Sequence, residues 1–380
     1  MKKYDIILIL SFGRENLFYF SIIKYLSVRY KIGIMIHDDK EFINRPHNAT
    51  FKKVKKTEKK FRDLCVSLGA KKIYSHTECS CRLMLMYPFE YEKDYFDNIK
   101  TNVKYEKLIG LFFHARGFKN LDLLKDMGAC KYFAPGKFLI EKIAKQQGIL
   151  EQLEEINVEE CGYPYSKYPV FDNENYEIDY LIALPSIPLL NRNKGEGLYG
   201  FVKMLKKVLK GLEKQDKVYI KYHNVRDKQR HFVQYRSCRP ILNLYAFLYK
   251  FAAVLCPIQR IKNGYYSKSA SYMFSLIEQK YPSLEAITEY HNFGIELFLP
   301  NVKKGIFTGL SGTIFHALYN RINVYNFDPQ KVNEKFAPYF RHFCIPTATA
   351  QLEFNEKHYD IIPSEVRDAD IIKMIESELT

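Results

Sequence analysis

The stretch Asp5-Ile6-Ile7-Leu8-Ile9-Leu10-Ser11-Phe12-Gly13-Arg14-Glu15-Asn16 couples an aliphatic run to a glycine turn, and an apolar helical pattern follows from Phe18 to Val28. A short run that is apolar at every position reads as a strand buried on both faces, and a crossover helix is what a parallel neighbour requires. The same alternation continues outward. Strands are expected over Ile32–Ile36, Lys72–Tyr74, Lys107–Phe113 and Ile156–Val158, with helices near Lys59–Leu68 and Lys137–Gln147, the latter ended near Gly148. This is the pattern of parallel βαβ units in an open α/β domain over residues 1–163.

Near Gly162-Tyr163-Pro164 the hydrophobic period breaks into a stretch of Tyr, Pro, Asn and Asp that reaches Tyr176, so residues 164–178 read as a linker. A second series follows over 179–380: strands Tyr180–Leu184, Lys217–Tyr222, Gly305–Phe307 and Ile322–Tyr325, with a basic amphipathic helix over Phe201–Leu212. Residues of about 224–284 carry no clear strand and read as a basic, apolar insertion. The architecture predicted is two Rossmann-like α/β domains facing a cleft.

The 380 residues are 47% hydrophobic, enough to bury a large core and to exclude a disordered chain. Lys plus Arg number 58 against 43 acids, a net charge of +15 that favours phosphate-rich partners: nucleic acid, an anionic membrane face or a nucleotide. No recognisable nucleic-acid motif accompanies the charge, so no specific nucleic-acid partner is expected. The eight cysteines are scattered without a CxxC pair or a zinc-finger spacing, which fits a reducing, cytoplasmic location. The apolar run at Ile6–Leu10 is too short for a signal peptide.

The longest apolar stretch, between Pro240 and Pro257, is too short to span a bilayer and contains Asn243 and Lys250. Arg226, Lys228, Arg230, Arg236 and Arg239 precede it and Arg260 and Lys262 follow. It reads either as a buried domain helix or as one lying on an anionic membrane surface, peripheral on the inner face. Lysines crowd residues 52–60 as well, a solvated basic face or a phosphate contact.

Ligands of open α/β sheets sit beyond the carboxyl ends of the strands, so polar residues just after strands are the candidates. Ser11–Asn16 forms one such turn, without the GxGxxG of a dinucleotide site. His114, in Phe113-His114-Ala115-Arg116, ends a buried strand where an imidazole could take a proton from an attacking hydroxyl. Glu160, of the Glu159-Glu160 pair, is a rival base. Lys221 and His223 end a second-half strand with Arg226 close by, a cationic site suited to a departing phosphate. Thr308-Gly309-Leu310-Ser311-Gly312-Thr313 opens a helix, where free N–H groups and hydroxyls can cradle an anion or simply cap the helix. Glu296, in Gly294-Ile295-Glu296-Leu297, is placed to accept hydrogen bonds from ribose hydroxyls or to start a helix. Asp38-Asp39 lacks the context of a metal site, and no metal is expected.

In that order, a Lys-x-His after a second-half strand, an isolated Glu-Leu and then Ser-Gly-Thr opening a helix, the chain resembles the GT-B glycosyltransferases of bacterial surface polysaccharides. The second half looks most like the sialyltransferase and polysialyltransferase families that use CMP-activated sugars, with His223-Asn224 where those families carry His-Pro and Ser311-Gly312-Thr313 as an interrupted hydroxyl pair. By that resemblance His223 stabilises the leaving phosphate, Ser311 and Thr313 bind it, and Glu296 holds the ribose. The first half, through His114, Tyr132-Phe133-Ala134-Pro135-Gly136-Lys137 and Gly162-Tyr163-Pro164, resembles the CDP-polyol phosphotransferases of teichoic acids, which makes His114 the base. The acidic pair and glycine of the sialyltransferase families correspond to Glu159-Glu160-Cys161-Gly162, interrupted by Cys161.

The reading these residues support is an inverting, metal-independent glycosyltransferase without a cofactor. It takes a nucleotide-sugar donor, CMP-linked in preference to CDP- or UDP-linked, and a glycan or lipid-linked glycan acceptor. Its alternatives are a CDP-polyol phosphotransferase, a nucleotide-sugar epimerase and a non-catalytic nucleic-acid-binding protein.

Overall fold

The computed structural model describes residues 1–10, 17–36, 59–87, 93–112, 121–137, 155–170, 177–183, 215–221, 294–308, 313–327 and 364–380, with single positions at 140, 141, 144, 151, 210, 212 and 281. The chain divides into unit 1, Met1–Asp172 with Ile362–Thr380, and unit 2, Asn173–Ile361.

Unit 1 is built on a seven-stranded sheet in the order β3-β2-β1-β4-β5-β6-β7. Its strands are β1 (Lys2–Ile9), β2 (Ile32–Ile36), β3 (Lys71–Tyr74), β4 (Cys79–Met86), β5 (Val103–Leu111), β6 (Lys131–Ala134) and β7 (Val158–Glu160). Every pairing in it is parallel. Helix α1 (Leu17–Leu26) follows β1, helical residues 59–67 precede β3, and α2 (Lys93–Asn102) and α3 (Leu121–Asp126) flank β5. Ile6, Ile7, Leu8 and Ile9 are wholly buried, which confirms the first strand as a central one with both faces covered.

The strand on the other side of β1 gave no such signal. Cys79–Met86 carries Cys, Leu and Met, residues without a strand preference, yet Leu83, Met84, Leu85 and Met86 are wholly buried between β1 and β5. Tertiary burial overrides local preference there. β6 is likewise a strand where only a motif was visible. Its Tyr132 ring lies over Gly110 of β5 and stacks on Phe112 with centroids 5.0 Å apart. A Cβ on Gly110 would come within 2.3 Å of that ring, so glycine is what lets β5 and β6 carry the stack.

Two boundaries differ from the sequence reading. Residues 164–170, expected as linker, belong to unit 1: α4 (Pro164–Lys167) packs on α1, and Tyr163, Tyr165 and Val170 are buried. Residues 362–380, expected in the second domain, return to unit 1 as α6 (Ser364–Arg367) and α7 (Ile371–Leu379). Apolar periodicity marks α7, since Ile371, Ile372, Ile375 and Leu379 are buried. Its first turn is capped by Asp370, which accepts from the Lys373 amide at 3.2 Å, from the Tyr168 hydroxyl at 2.6 Å and from Lys167 at 3.0 Å. Its last turn is held by Lys107, which donates to the Glu378 carbonyl at 2.9 Å, and by Lys131, 2.5 Å from the Glu378 carboxylate. Arg29 pairs with Glu376.

Unit 2 holds a four-stranded sheet in the order β11-β10-β8-β9, again all parallel. Its strands are β8 (Ile178–Ala183), β9 (Val218–Lys221), β10 (Val302–Thr308) and β11 (Asn323–Phe327). A 3-10 helix, Ile295–Asn301, leads into β10, and helix α5 (Thr313–Tyr319) joins β10 to β11. Ile178, Leu181, Ile182 and Ile220 are wholly buried. Both units are therefore Rossmann-like parallel α/β assemblies.

Gly110→Ala should lower stability by about 1–3 kcal/mol, the usual effect of overfilling a packed core, read as a fall in the urea midpoint. A second expectation concerns acid. Burial raises the Asp370 and Glu378 carboxyls, but the donors around them outweigh it and hold both below the usual range. Their contribution is complete at neutral pH and is lost as pH falls from the ordinary carboxylate value through their lowered ones. Urea midpoints measured into the acid range should therefore fall, and fall less in Asp370→Asn.

Candidate nucleotide site

In unit 2 the chain leaves β8 for β9 on one side and later for β10 on the other, so the carboxyl ends of β8 and β10 flank the switch point of the sheet. β10 ends at Thr308, beside that point, and α5 begins at Thr313. On the far side of β8, β9 ends at Lys221, opposite Ala183. Strand spacing puts the ends of β9 and β10 about 10 Å apart. Lys221 is 7% exposed, so its cation is held within the protein edge, where an anion would feel it with less solvent screening than at an open surface.

The 3-10 helix packs against α5. Leu297 and Leu299 are wholly buried and anchor it, while Glu296 and Asn301 turn polar groups inward. The Glu296 Oε2 and Asn301 Nδ2 atoms are buried without a hydrogen-bond partner. A buried carboxylate oxygen left unpaired is costly, about 1–3 kcal/mol, and a ligand hydroxyl is the kind of donor that would relieve it. His316 of α5 was not singled out by the sequence. Burial pushes its imidazole down to about 3, so it is neutral at physiological pH. Nothing in Thr-Ile-Phe-His marks that histidine as inward-facing before the helix is placed on the sheet.

Unit 1 has its own switch point, between β1 and β4, and there the backbone acceptors are already occupied. The Tyr19 hydroxyl donates to the carbonyls of Ile9 at 3.0 Å and Leu85 at 3.3 Å, bridging the two strands. Tyr95 does the same for Met35 at 2.9 Å and Leu10 at 3.3 Å. At the far end of this sheet Glu159 and Glu160 diverge, as neighbours on a strand must. Glu159 pairs with Lys131 at 2.7 Å, and Glu160 Oε1 accepts from the Lys137 amide at 2.6 Å, capping the helical residues that begin there. Cys161 is buried, and Gly162 turns the chain at φ +63°.

The structure thus places Lys221, Glu296 and Thr313 in unit 2 and Glu160 in unit 1. His114, His223, Ser311 and Gly312 lie outside the described residues, as do Ser11–Asn16, Asp38-Asp39, the 201–209 part of the basic helix, and the 240–257 segment with its flanking cations. Among the described residues no cluster of His, Cys, Asp and Glu could hold a metal ion, and no helix is long and apolar enough to cross a membrane.

His316 sets an acid-side expectation. The unfolded chain binds a proton near 6.5 and the folded one only near 3, so stability declines as pH falls through that window, by up to about 1.4 kcal/mol per pH unit. His316→Gln should flatten the slope measured by urea titration between those limits. For Glu160, loss of the cap in Glu160→Ala should cost about 0.5–2 kcal/mol, while Glu160→Gln keeps an acceptor for the Lys137 amide and should melt near the wild type.

No protein-family model and no curated protein matches this chain. Among solved structures it aligns with the crystal structure of CalG4, the calicheamicin glycosyltransferase, over 100% of this chain and 94% of that one, at 11% identity and a TM-score of 0.30. A likeness that slight bears on neither fold nor function.

Proposed function

We propose that the protein is a glycosyltransferase of GT-B architecture that moves a sugar from a nucleotide donor, CMP-linked in preference to CDP- or UDP-linked, to a glycan or lipid-linked glycan hydroxyl with inversion. The observation that carries this reading is the carboxyl edge of the unit 2 sheet, where Lys221 is buried at the end of β9 and β10 ends at Thr308 beside the switch point. The buried, unpaired Oε2 of Glu296 lies in the 3-10 helix packed on α5. Lys221 and His223 neutralise charge on the departing phosphate, Ser311, Gly312 and Thr313 supply donors at the start of α5, and Glu296 accepts from the ribose hydroxyls. No metal is needed for a leaving group neutralised in this way.

The acceptor hydroxyl needs a base from the other domain. His114 and Glu160 are the candidates, and the bond from the Lys137 amide to Glu160 favours His114, because it already gives the carboxylate a structural task. The first-half resemblance to CDP-polyol phosphotransferases keeps a second reaction in view. There the transferred group is a polyol phosphate and the same phosphate-binding residues serve it.

Incubation with CMP-, CDP- and UDP-linked donors separates these readings. Release of CMP from a CMP-sugar in the presence of a glycan acceptor is the expected result, and release of CMP from CDP-glycerol would replace it with polyol-phosphate transfer. Lys221→Met should weaken donor binding by about tenfold or more, the effect of losing one charge-assisted hydrogen bond, whereas His114→Ala should bind donor normally and lose turnover. Turnover in Glu160→Gln should stay near wild type; its loss would make Glu160 the base.

A further inference from the structure

The carboxyl edge of the unit 1 sheet faces one way, and the opposite, amino edge carries a different chemistry. Strand starts and the turns that lead into them place Lys2 and Lys3 on β1, Lys31 before β2, Lys71 and Lys72 on β3, Arg82 on β4 and Lys104 on β5 along that edge, all exposed. The register aligns Lys3, Ser80 and Lys104 in one row across β1, β4 and β5. Most acids nearby are already engaged. Asp5 accepts from the Lys31 amide, Asp63 pairs with Lys72, Glu376 with Arg29, and Glu378 with Lys107 and Lys131. Exposed Glu78, Glu106 and Asp126 remain, fewer than the cations of Lys2, Lys3, Lys71, Arg82 and Lys104, none of which pairs with a carboxylate among the described residues.

Because helices run against the strands, their C-terminal ends reach this same edge, and two of them expose aliphatic side chains there. Val28, beyond the end of α1, is 85% exposed, and Val66, near the end of helical residues 59–67, is 40% exposed. The turns that carry them are tied together, since the Ser27 hydroxyl donates to the Leu68 carbonyl at 2.8 Å. We infer that the amino edge of unit 1 is a docking face for an anionic lipid bilayer, with the lysines and Arg82 held at the headgroups and Val28 and Val66 entering the interface. Cations attract anionic headgroups, and apolar side chains standing among them gain by leaving water. Nucleic acid is the weaker fit, because aliphatic valines offer bases no stacking surface. The face is built by unit 1, whereas the 240–257 segment belongs to unit 2, and the inference does not rest on the reaction assigned to unit 2.

The test is co-sedimentation of the full chain with vesicles of phosphatidylcholine alone and of phosphatidylcholine mixed with phosphatidylglycerol, at low and high salt. Binding to the mixed vesicles only, weakened by salt, is expected. Charge reversal at Lys2, Lys71, Arg82 and Lys104 should weaken it by about fivefold or more for each site, the worth of one basic residue at such a surface. Val28→Ser with Val66→Ser should weaken binding at high salt, where charge contributes least. All six side chains are exposed, and unchanged thermal midpoints confirm that the variants fold. Wild-type binding by both variant sets, binding abolished only by reversing Arg236, Arg239 and Arg260, no binding to the mixed vesicles, or displacement from them by single-stranded DNA would each overturn the inference.

Discussion

Parallel pairing is the constraint from which the rest follows. Every described strand in both units pairs only with parallel neighbours, so each sheet has one edge where all strands end and one where all begin. Hydrogen bonds within the ladder satisfy the strand interiors, and burial on both faces leaves no room there for ligand. Chemistry is confined to the ends. Among the described strands of unit 2, the order β11-β10-β8-β9 then selects one location, since it is between β8 and β10 that the chain diverges to both sides.

The two units treat their switch points differently. In unit 1 the hydroxyls of Tyr19 and Tyr95 occupy carbonyls at the ends of β1, β2 and β4, a closed arrangement that braces the sheet. In unit 2 a buried lysine ends β9, and a carboxylate oxygen and an amide nitrogen remain unpaired in the 3-10 helix. Unsatisfied buried groups are rare in folded proteins; these two lie in the helix that enters the amino end of β10, and Arg62 and Tyr132 of unit 1 carry buried unpaired atoms as well. Tyr168 adds a further asymmetry: its carbonyl accepts from Ser21, its ring meets Tyr25 and its hydroxyl reaches Asp370, so unit 1 holds the segment leading out of it and the helix returning to it at one residue.

The sequence disclosed what local chemistry controls. β1 and β2 were legible because Ile6–Ile9 and Ile32–Ile36 are apolar almost throughout, and β10 because Gly305–Phe307 lies before a glycine-rich turn. β4 was not legible, because Cys and Met have no strand preference and only its neighbours make it central. The return of α7 to unit 1 could not be read from a helical period alone; it depends on Lys107, Lys131 and Tyr168, far away in sequence. At the site, Lys221 and Glu296 stood out as polar residues beside apolar strands. His316 did not, since an inward histidine looks like any other until its helix is packed, and the capping role of Glu160 required the Lys137 amide that only the fold supplies.

The central claim is that a nucleotide phosphate is gripped by unit 2 at the end of β10. Amide hydrogen exchange measured with and without CMP tests it most directly. The account predicts slowed exchange over residues 305–317 and at the end of β9, with β1 and β4 of unit 1 unchanged. Slowed exchange confined to the carboxyl ends of β1 and β4, or none anywhere at saturating nucleotide, would contradict it.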